Sequence, residues 1–401
     1  MPARAFDILR RVLAGVVSIL LVAGGVGLLV PAVARADSML ADPGNPATPA
    51  TVTADPLPTV QINGVVWAQV VVGDTVYAAG RFTRARPAGA AAGTQDTVRN
   101  NLLAYDIRTG ALVTSFAPDL NAQALAITAS PDGRRIYVGG DFTRANGQVR
   151  NKVAAYDTAT GQLVADWRPS VAGQVRAVAA TNSTVYLGGT ITAVGSVGRT
   201  RLAAVRAADG GLLPWAPRPG AGPTSGNKLP LHDANGNPIP GTRDPRNDTP
   251  SNDVLALVVT NGGAQVVAAG RFYTLNGVRA TGVGALDAVT GAVRPFAVNQ
   301  EITNHGINSA VYSLSTDGAT VYATGYDFWG PGNLEGAFAA DPNGGARWFA
   351  DCRGDSYSAH RAGGAVYVAS HSHDCANIDS FRSSRPACTC TATRSAPPTR
   401  G

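Results

Sequence analysis

The sequence has little of what most enzymes and nucleic-acid-binding proteins use. Only 15% of its 401 residues are charged, and the net charge of +6 comes from arginines spread singly along the chain. No run of Lys or Arg interleaved with aromatic residues occurs, which argues against nucleic acid as a partner. No Gly-x-Ser-x-Gly elbow, His-Glu-x-x-His pair or phosphate-binding loop occurs either. We therefore predict no catalytic site, and interpret the charge as a solubility feature with weak attraction to anionic wall polymers.

Cysteine and long apolar runs are also scarce, and both are confined to the ends of the chain. All four cysteines lie in the last 50 residues. The long uncharged run, Val12 to Val33, follows three arginines and precedes Ala34-Arg35-Ala36, the arrangement that a signal peptidase recognises. We expect residues 1–36 to be a signal peptide, so that the mature protein is secreted and has no membrane span. An uncleaved membrane anchor is the alternative.

The remaining chain is rich in turn-forming residues and poor in helix-forming ones. Residues 37–57 are rich in Ala, Pro, Thr and Asp without an apolar period, which is typical of a flexible lead-in. From residue 58 to residue 379 the sequence predicts folded structure. With 47 Gly and 26 Pro in the whole chain, many short strands joined by tight turns fit better than long helices.

A degenerate repeat of about 45 to 60 residues is the strongest signal in the sequence. Each copy contains an apolar strand that ends in small residues, as in Ile136-Tyr137-Val138-Gly139-Gly140. The six copies begin at Val76, Ile136, Val185, Val266, Val321 and Val366.

The units have a common order of parts. In the clearest copies, units one, two and four, an alternating strand comes first and the apolar strand that ends in small residues follows it. Next come a step of the Phe-Thr and Asn-Gly type, a strand ending in Asp-x-x-Thr-Gly and a short strand, whereas unit three departs from this pattern and units five and six lose the Phe-Thr step. Four antiparallel strands joined by hairpin turns form one propeller blade. The residues that define the repeat are Tyr77, Gly80, Phe82, Asp106, Gly110, Tyr137, Gly140, Phe142, Asp157, Gly161, Tyr186, Gly189, Gly270, Phe272, Asp287 and Gly291.

The repeat predicts an all-β fold, a β-propeller of about six or seven four-stranded blades. The aromatic residues are expected to pack between neighbouring blades, and the paired glycines to let the innermost strands crowd the central axis. One blade cannot bury both faces of its sheet, so the ring must close. The segment Thr51 to Gln61 is expected to supply a strand to the last blade. The insertion at residues 219–252, between the third and fourth units, is expected to form a long loop on one face.

The pattern from Asp141 to Gly161 resembles the delta-60-type β-propeller repeats of secreted actinobacterial proteins. The resemblance covers roughly Val65 to Asn377 and is clear in units one, two and four. It implies a secreted propeller, in a family whose function is largely unknown. The resemblance stops after Asp379, and residues 380–401 have no strand period. We interpret them as an irregular, frameshifted or truncated tail, in which case the last blade is incomplete.

Two groups of residues near the end of the chain are candidate sites. Cys352 and Cys375 are expected to form a disulfide in an exported protein, closing a loop worth about 3 kcal/mol. His371 and His373 alternate along a predicted strand, so their side chains would share one face, as metal ligands require. A polar loop without metal is the alternative. Cys388 and Cys390 are expected to be free.

A calcium loop is a further alternative within the insertion. Asp233, Asn235 and Asn237 supply alternate oxygen ligands, but the acidic twelfth position and the central glycine of such loops are missing. We therefore predict no cofactor, with calcium as the alternative.

For the function, the sequence favours a secreted, monomeric, non-enzymatic binding or scaffold protein of the cell surface or wall. Its expected partner is a cell-wall polysaccharide or an extracellular protein. The alternative is a secreted enzyme, either a carbohydrate-active hydrolase or a quinoprotein-like oxidoreductase, because propellers host both kinds of function.

Overall fold

The structure is a computed structural model, and the residues it describes are 57–222, 230–235, 237–242, 249–328, 330–376 and, for the backbone, 389–393. The predicted signal peptide and nearly all of the lead-in lie outside these residues. No helix within the described ranges reaches the length and hydropathy of a membrane span.

The described chain is almost entirely strand and turn. The strands up to the insertion are β1 (Gln61–Ile62), β2 (Val65–Val72), β3 (Thr75–Arg81), β4 (Arg84–Arg86), β5 (Thr97–Val98), β6 (Leu102–Asp106), β7 (Ala124–Ala129), β8 (Arg135–Gly140), β9 (Arg144–Ala145), β10 (Gln148–Val149), β11 (Val153–Asp157), β12 (Val171–Ala172), β13 (Val175–Ala180), β14 (Thr184–Gly189), β15 (Ala193–Val194), β16 (Val197–Gly198), β17 (Leu202–Arg206) and β18 (Pro219–Gly220).

The strands after the insertion are β19 (Val254–Thr260), β20 (Gln265–Gly270), β21 (Thr274–Leu275), β22 (Val278–Arg279), β23 (Val283–Asp287), β24 (Val293–Arg294), β25 (Ser309–Thr316), β26 (Val321–Asp327), β27 (Gly336–Ala340), β28 (Ala346–Asp351), β29 (Ser356–Ala362), β30 (Ala365–Ser370) and β31 (Thr389–Thr393). Two short 3-10 helices, Asn261–Gly263 and Ala297–Gln300, complete the regular structure of the described residues.

Six antiparallel sheets follow one another along the chain, one for each copy of the repeat, and we number them units 1 to 6. They are β2-β3-β6, β7-β8-β11, β13-β14-β17, β19-β20-β23-β24, β25-β26-β27-β28 and β29-β30-β31. Units 4 and 5 have the expected fourth strand. In units 1 to 3 the fourth strand is reduced to single bridges at Leu112, Leu163 and Leu212, because the chain turns away to reach the next unit.

The last unit corrects one expectation about the tail. β31 pairs with β30 from Thr389 to Thr393, within the segment 380–401 that was expected to be irregular. Over these five residues the backbone takes the free edge of β30. The other described edge of that strand is occupied by β29.

Short outer strands link each unit to the next. The segment that leaves one unit pairs with the hairpin of the following unit, as β12 does with β15 and β18 does with β21. At the start of the chain, β1 pairs with β4 in the same way. Gln61 therefore lies against unit 1, and not against the last unit as expected. Residues 51–56 lie outside the described ranges.

Both faces of the sheets of units 2 to 5 are buried, because neighbouring units pack against them. Along β8, Ile136 and Val138 pack toward unit 1, whereas Tyr137 between them packs toward unit 3. Successive side chains on a strand point to opposite faces, so an uninterrupted apolar strand requires a partner on each side. Hydrophobic clusters of this kind join every consecutive pair of units from 1 to 6.

The repeated aromatic residues lie at these contacts between units. The ring of Phe116 meets the rings of Tyr77 and Tyr156 edge to face, with centroids 5.1 and 5.7 Å apart. Trp167 and Trp215 each donate an indole N–H to a backbone carbonyl of the following unit, at 3.1 and 2.9 Å. Each of the two indole rings thus adds a hydrogen bond to its apolar contact.

The paired glycines permit close approach within and between sheets. A Cβ on Gly140 would overlap the carbonyl of Gln123, just before β7, and a Cβ on Gly270 would overlap that of Asp253, just before β19. A Cβ on the other glycine of a pair, such as Gly139, would meet Val175 in the first strand of the next unit. That the glycines let the innermost strands crowd a central axis stays a prediction.

We predict that Gly270→Ala lowers the free energy of unfolding by about 2 to 3 kcal/mol, because the new methyl group overlaps a backbone carbonyl that cannot rotate away. Gly198→Ala is the matched control, since a Cβ at that position meets no atom within 4 Å. The measurement is chemical denaturation. Equal stability of the two variants would contradict the role given to Gly270.

Candidate functional site

A β-bulge interrupts the first strand of every unit at the same place. The register with the second strand skips one residue, for example between Val66 and Ala68, opposite the glycine that ends the second strand. A bulge breaks the alternation of side chains and re-aims one of them. The skipped residues are Trp67, Leu125, Arg176, Leu255, Tyr312 and Tyr357.

All six bulge residues line one cavity of about 460 Å³. First strands of all six units thus border a single space, which is of the size of a small-ligand site. Its lining combines aliphatic residues, aromatic rings, two glutamines, two serines and one arginine. This cavity is the candidate functional site.

Three of the bulge residues are aromatic and partly exposed. Trp67, Tyr312 and Tyr357 are 48, 37 and 45% exposed, whereas the repeat-defining aromatic residues are at most 5% exposed. The rings of Tyr312 and Tyr357 meet at 6.2 Å, edge to face, and Tyr312 also meets Tyr326 at 5.7 Å. Trp67, Tyr312 and Tyr357 all line the cavity, and we call this set of three residues the aromatic arc.

A chain of hydrogen bonds crosses units 1 to 3 at one end of the cavity. The indole N–H of Trp67 donates to Gln123 Oε1 at 3.2 Å, and Gln123 Nε2 donates to Asp141 Oδ2 at 2.7 Å. From the other side, Arg176 Nε donates to Gln174 Oε1, and Gln174 Nε2 donates to both oxygens of Asp141 at 2.8 and 2.9 Å. Asp141 is the acceptor that orients both glutamines.

A second polar network continues through units 3 to 5. Asp253 lies 3.4 Å from Arg201 and 3.7 Å from Arg271, so one carboxylate pairs with two guanidinium groups. Arg201 Nε also donates to Asn252 Oδ1 at 2.7 Å, and Arg271 donates to the hydroxyl of Tyr326 at 2.7 Å. Through Tyr326, this network reaches the aromatic arc.

The strand order explains why these polar residues meet. The first and second strands of every unit form an antiparallel hairpin, so the start of the first strand lies beside the end of the second. Asp141, Thr190 and Arg271 follow directly on the glycines that end the second strands of units 2, 3 and 4. Residues at equal positions in the repeat therefore collect at one end of the cavity.

A group of carboxylates lies beside this site, in units 5 and 6, outside the cavity lining. Burial raises the pKa of Asp327, and burial together with the charges of Asp327, Asp355 and Asp351 raises the pKa of Glu335 to about 7. Carboxylates held near one another disfavour their own ionisation. Glu335 is a proton-binding group near neutral pH.

The predicted disulfide lies next to the carboxylate group. Cys352 and Cys375 are bonded, with their Cα atoms 4.2 Å apart and a sequence separation of 23. Cys375 is therefore unavailable as a metal ligand. The rings of His371 and His373 lie 4.6 Å apart. In the described part of the chain, no three His, Cys, Asp or Glu side chains are placed to hold a metal ion together.

The predicted calcium loop is a hydrogen-bonded turn. Asp233 Oδ1 accepts the backbone N–H groups of Asn235 and Asn237 at 2.8 and 2.9 Å, and Asn237 Nδ2 donates to Asp233 Oδ2 at 3.3 Å. These bonds use the carboxylate for a turn and hold its pKa below the usual range. Calcium binding here stays a prediction.

The Asp-x-x-Thr-Gly residues form turns at the ends of the third strands, away from the polar networks. Asp157 Oδ1 accepts both the N–H and the hydroxyl of Thr160, at 2.8 and 2.9 Å, and Gly161 takes a positive φ of 70°. Asp106 and Asp287 make the same bonds with their threonines, and Gly110 and Gly291 have the same φ region. These residues shape turns.

The other repeat-defining residues are part of the core or of the strand contacts. Tyr77, Phe82, Tyr137, Phe142, Tyr186 and Phe272 are at most 5% exposed. Gly80, Gly140, Gly189 and Gly270 each lie opposite a bulge. None of the sixteen lines the cavity.

The residues that sequence reasoning missed are the bulge residues. Their signal is a variable residue followed by Ala or Ser, as in Val66-Trp67-Ala68, Val175-Arg176-Ala177 and Val311-Tyr312-Ser313. The buried arginines were also missed. Arg99 and Arg150 are 5 and 3% exposed and donate to backbone carbonyls, so part of the positive charge is structural rather than a solubility feature.

We predict that the free energy of unfolding falls as the pH rises from about 4.5 to 7, because folded Glu335 binds its proton more tightly than the unfolded chain does. Glu335→Gln removes the proton-binding group and should flatten this decline. Glu301→Gln, at an exposed position, is the control. Denaturant unfolding at several pH values measures the effect, and an unchanged slope in Glu335→Gln would refute it.

Comparison with known proteins supports the fold. Residues 102–213 match the family model of the Rax2 C-terminal beta propeller domain. No match was found among the curated proteins. Among solved structures, the chain is similar to Kuenenia stuttgartiensis hydrazine synthase, with 14% identity over 80% of this chain and 78% of that one, and a TM-score of 0.41, too low to carry an argument. Together with the six consecutive antiparallel sheets, the family match confirms the prediction of an all-β fold of the β-propeller type.

Proposed function

We propose that this chain is an exported, monomeric, non-enzymatic β-propeller of the delta-60 type that binds cell-wall polysaccharide. The observation that carries the proposal is the set of six bulge residues around one cavity. A bulge costs strand pairing, and here each unit uses it to turn a side chain into the same space.

The shape and chemistry of the cavity favour a saccharide over a protein partner. Protein interfaces of ordinary size need a broad surface, whereas this site is a concave space of about 460 Å³. Partly exposed rings beside oriented amide groups match a ligand that has both apolar faces and hydroxyl groups. Gln123 and Gln174 are already oriented by Asp141, which reduces the entropy lost on binding.

Export is supported by the sequence of residues 1–36 and by the disulfide. The Cys352–Cys375 bond is of the kind that persists in oxidising compartments. A location at the cell wall follows from the proposed ligand.

We propose further that the six units close into a ring. The turn glycines of units 2, 3 and 4 lie against the segments that leave the preceding units, for example Gly210 against Pro169. In unit 1, Gly110 lies against Pro58 and Thr59 in the same way, and its carbonyl accepts the N–H of Val60 at 2.8 Å. The segment Leu57–Ile62 thus takes the place of a segment leaving a sixth unit.

A closed ring predicts a compact particle. For the approximately 320 residues from 57 to 376, we expect a radius of gyration of about 20 Å. Small-angle X-ray scattering of the mature protein, with the lead-in fitted as a flexible segment, measures this value. A clearly larger and more elongated particle would indicate an open arc of units.

The hydrolase alternative has one supporting observation, the raised pKa of Glu335 beside other carboxylates. A general acid needs a pKa near the working pH. Glu335 does not line the cavity, which weakens this alternative. Release of reducing sugar from wall polysaccharide by the wild type, and its loss in Glu335→Gln, would replace the binding proposal with an enzymatic one.

We predict that the mature protein co-sediments with insoluble cell-wall polysaccharide and that Trp67→Ala weakens this binding about tenfold or more, because a stacking ring is lost at the cavity. Trp67→Phe, which keeps a ring but loses the bond to Gln123, should retain most of the affinity. Val149→Ala, at an exposed position outside the cavity, is the control. Equal sedimentation of wild type and Trp67→Ala would count against the proposed site.

A further inference from the structure

One side chain in the cavity lining differs from all the others. Arg176 is the charged residue among the eighteen that line this space; the rest are apolar, aromatic, amide or hydroxyl residues. A single positive charge within a concave site attracts a negative group on a ligand. The cavity is therefore suited to a ligand that carries an acidic group.

The guanidinium group of Arg176 is held in place but not neutralised. Its Nε donates to Gln174 Oε1, and Gln174 is fixed in turn by Asp141. Within the described part of the chain, neither Nη atom of Arg176 has a hydrogen bond or an ion pair. In contrast, Arg201 and Arg271 beside the cavity share the carboxylate of Asp253.

Asp141 is not free to pair with Arg176 in place of a ligand. Both oxygens of Asp141 accept amide hydrogens from Gln123 and Gln174 at 2.7 to 2.9 Å. Turning Asp141 toward Arg176 would break these bonds and leave two amide groups without their acceptor. The two Nη groups thus remain available, and their planar fork matches the two oxygens of a carboxylate.

The aromatic arc completes the site. In the proposed ring, unit 6 lies across from unit 3, so Tyr357 is on the opposite side of the cavity from Arg176. The rings of Tyr312 and Tyr357 lie 6.2 Å apart, edge to face, and both residues line the cavity. A sugar ring can lie on these rings while a carboxylate on it reaches Arg176.

We infer that the cavity selects an acidic sugar, a uronic acid residue of a polysaccharide, through an ion pair between its carboxylate and Arg176. This inference rests on the proposed function and narrows its ligand. The aromatic arc supplies affinity for the sugar ring, and Arg176 supplies the preference for the acid over its neutral counterpart.

The experiment is calorimetric titration of the mature protein with short oligogalacturonates and with neutral oligogalactosides of the same length. The wild type should bind the acidic probe about tenfold more tightly than the neutral one. In Arg176→Gln this preference should disappear, so that the ratio of the two affinities falls to about one. Arg176→Lys, which keeps the charge but not the fork, should fall between the two.

Arg134→Gln is the matched control, because its side chain is 85% exposed and lies outside the cavity lining. It should retain the full preference for the acidic probe. Thermal unfolding of each variant verifies that the fold is intact, and the neutral probe serves as an internal measure of the site in Arg176→Gln.

The outcomes separate this inference from the proposed function. If the wild type binds both probes equally, the preference for an acidic ligand is refuted. If Arg176→Gln keeps the preference, the ion pair with Arg176 is refuted. In both cases polysaccharide binding stands. Tighter binding of a simple aromatic acid such as 4-hydroxybenzoate than of either sugar also overturns the inference. If neither probe nor wall polysaccharide binds, the proposed function itself fails.

Discussion

The site depends on one local contact, the close approach of the first and second strands in units 1 to 4. At Gly80, Gly140, Gly189 and Gly270 a side chain would overlap a backbone carbonyl at the start of the first strand or just before it. The missing side chain lets the two strands meet where the first strand carries an extra residue, and that residue turns into the cavity. The same glycine positions thus serve both stability and the construction of a site.

Close packing between units explains how such short strands form a stable structure. The sheets of units 2 to 5 lie between two neighbours, and the clusters that join consecutive units bury both of their apolar faces. Trp167 and Trp215 add bonds from one unit to the next. Where unit 3 lacks the usual phenylalanine, Ile191 is fully buried in its place, so the packing tolerates a change of residue but not of polarity.

The arginine in the cavity lining differs from the arginines around it in how its charge is paired. Arg201 and Arg271 are paired with Asp253, and buried Arg99 and Arg150 bind backbone carbonyls. Among the residues that the structure describes, Arg176 has a hydrogen bond only through its Nε. The protein holds the guanidinium group of Arg176 in place without neutralising its charge. In the inference above, this charge determines the preference for an acidic sugar.

The sequence by itself determined the local structure. The Tyr-Val-Gly-Gly strands, the Asp-x-x-Thr-Gly turns and the apolar alternation follow from hydrogen bonding and side-chain burial over a few residues, so the all-β repeat could be predicted from them. The positions of the bulges could not, because a shift of one residue depends on how two strands pair. Only the tertiary structure placed Trp67, Arg176, Tyr312 and Tyr357, far apart in sequence, around one cavity. It also showed which strands the glycines contact and that β1 pairs within unit 1. Both features depend on packing between segments whose relative positions the sequence does not specify.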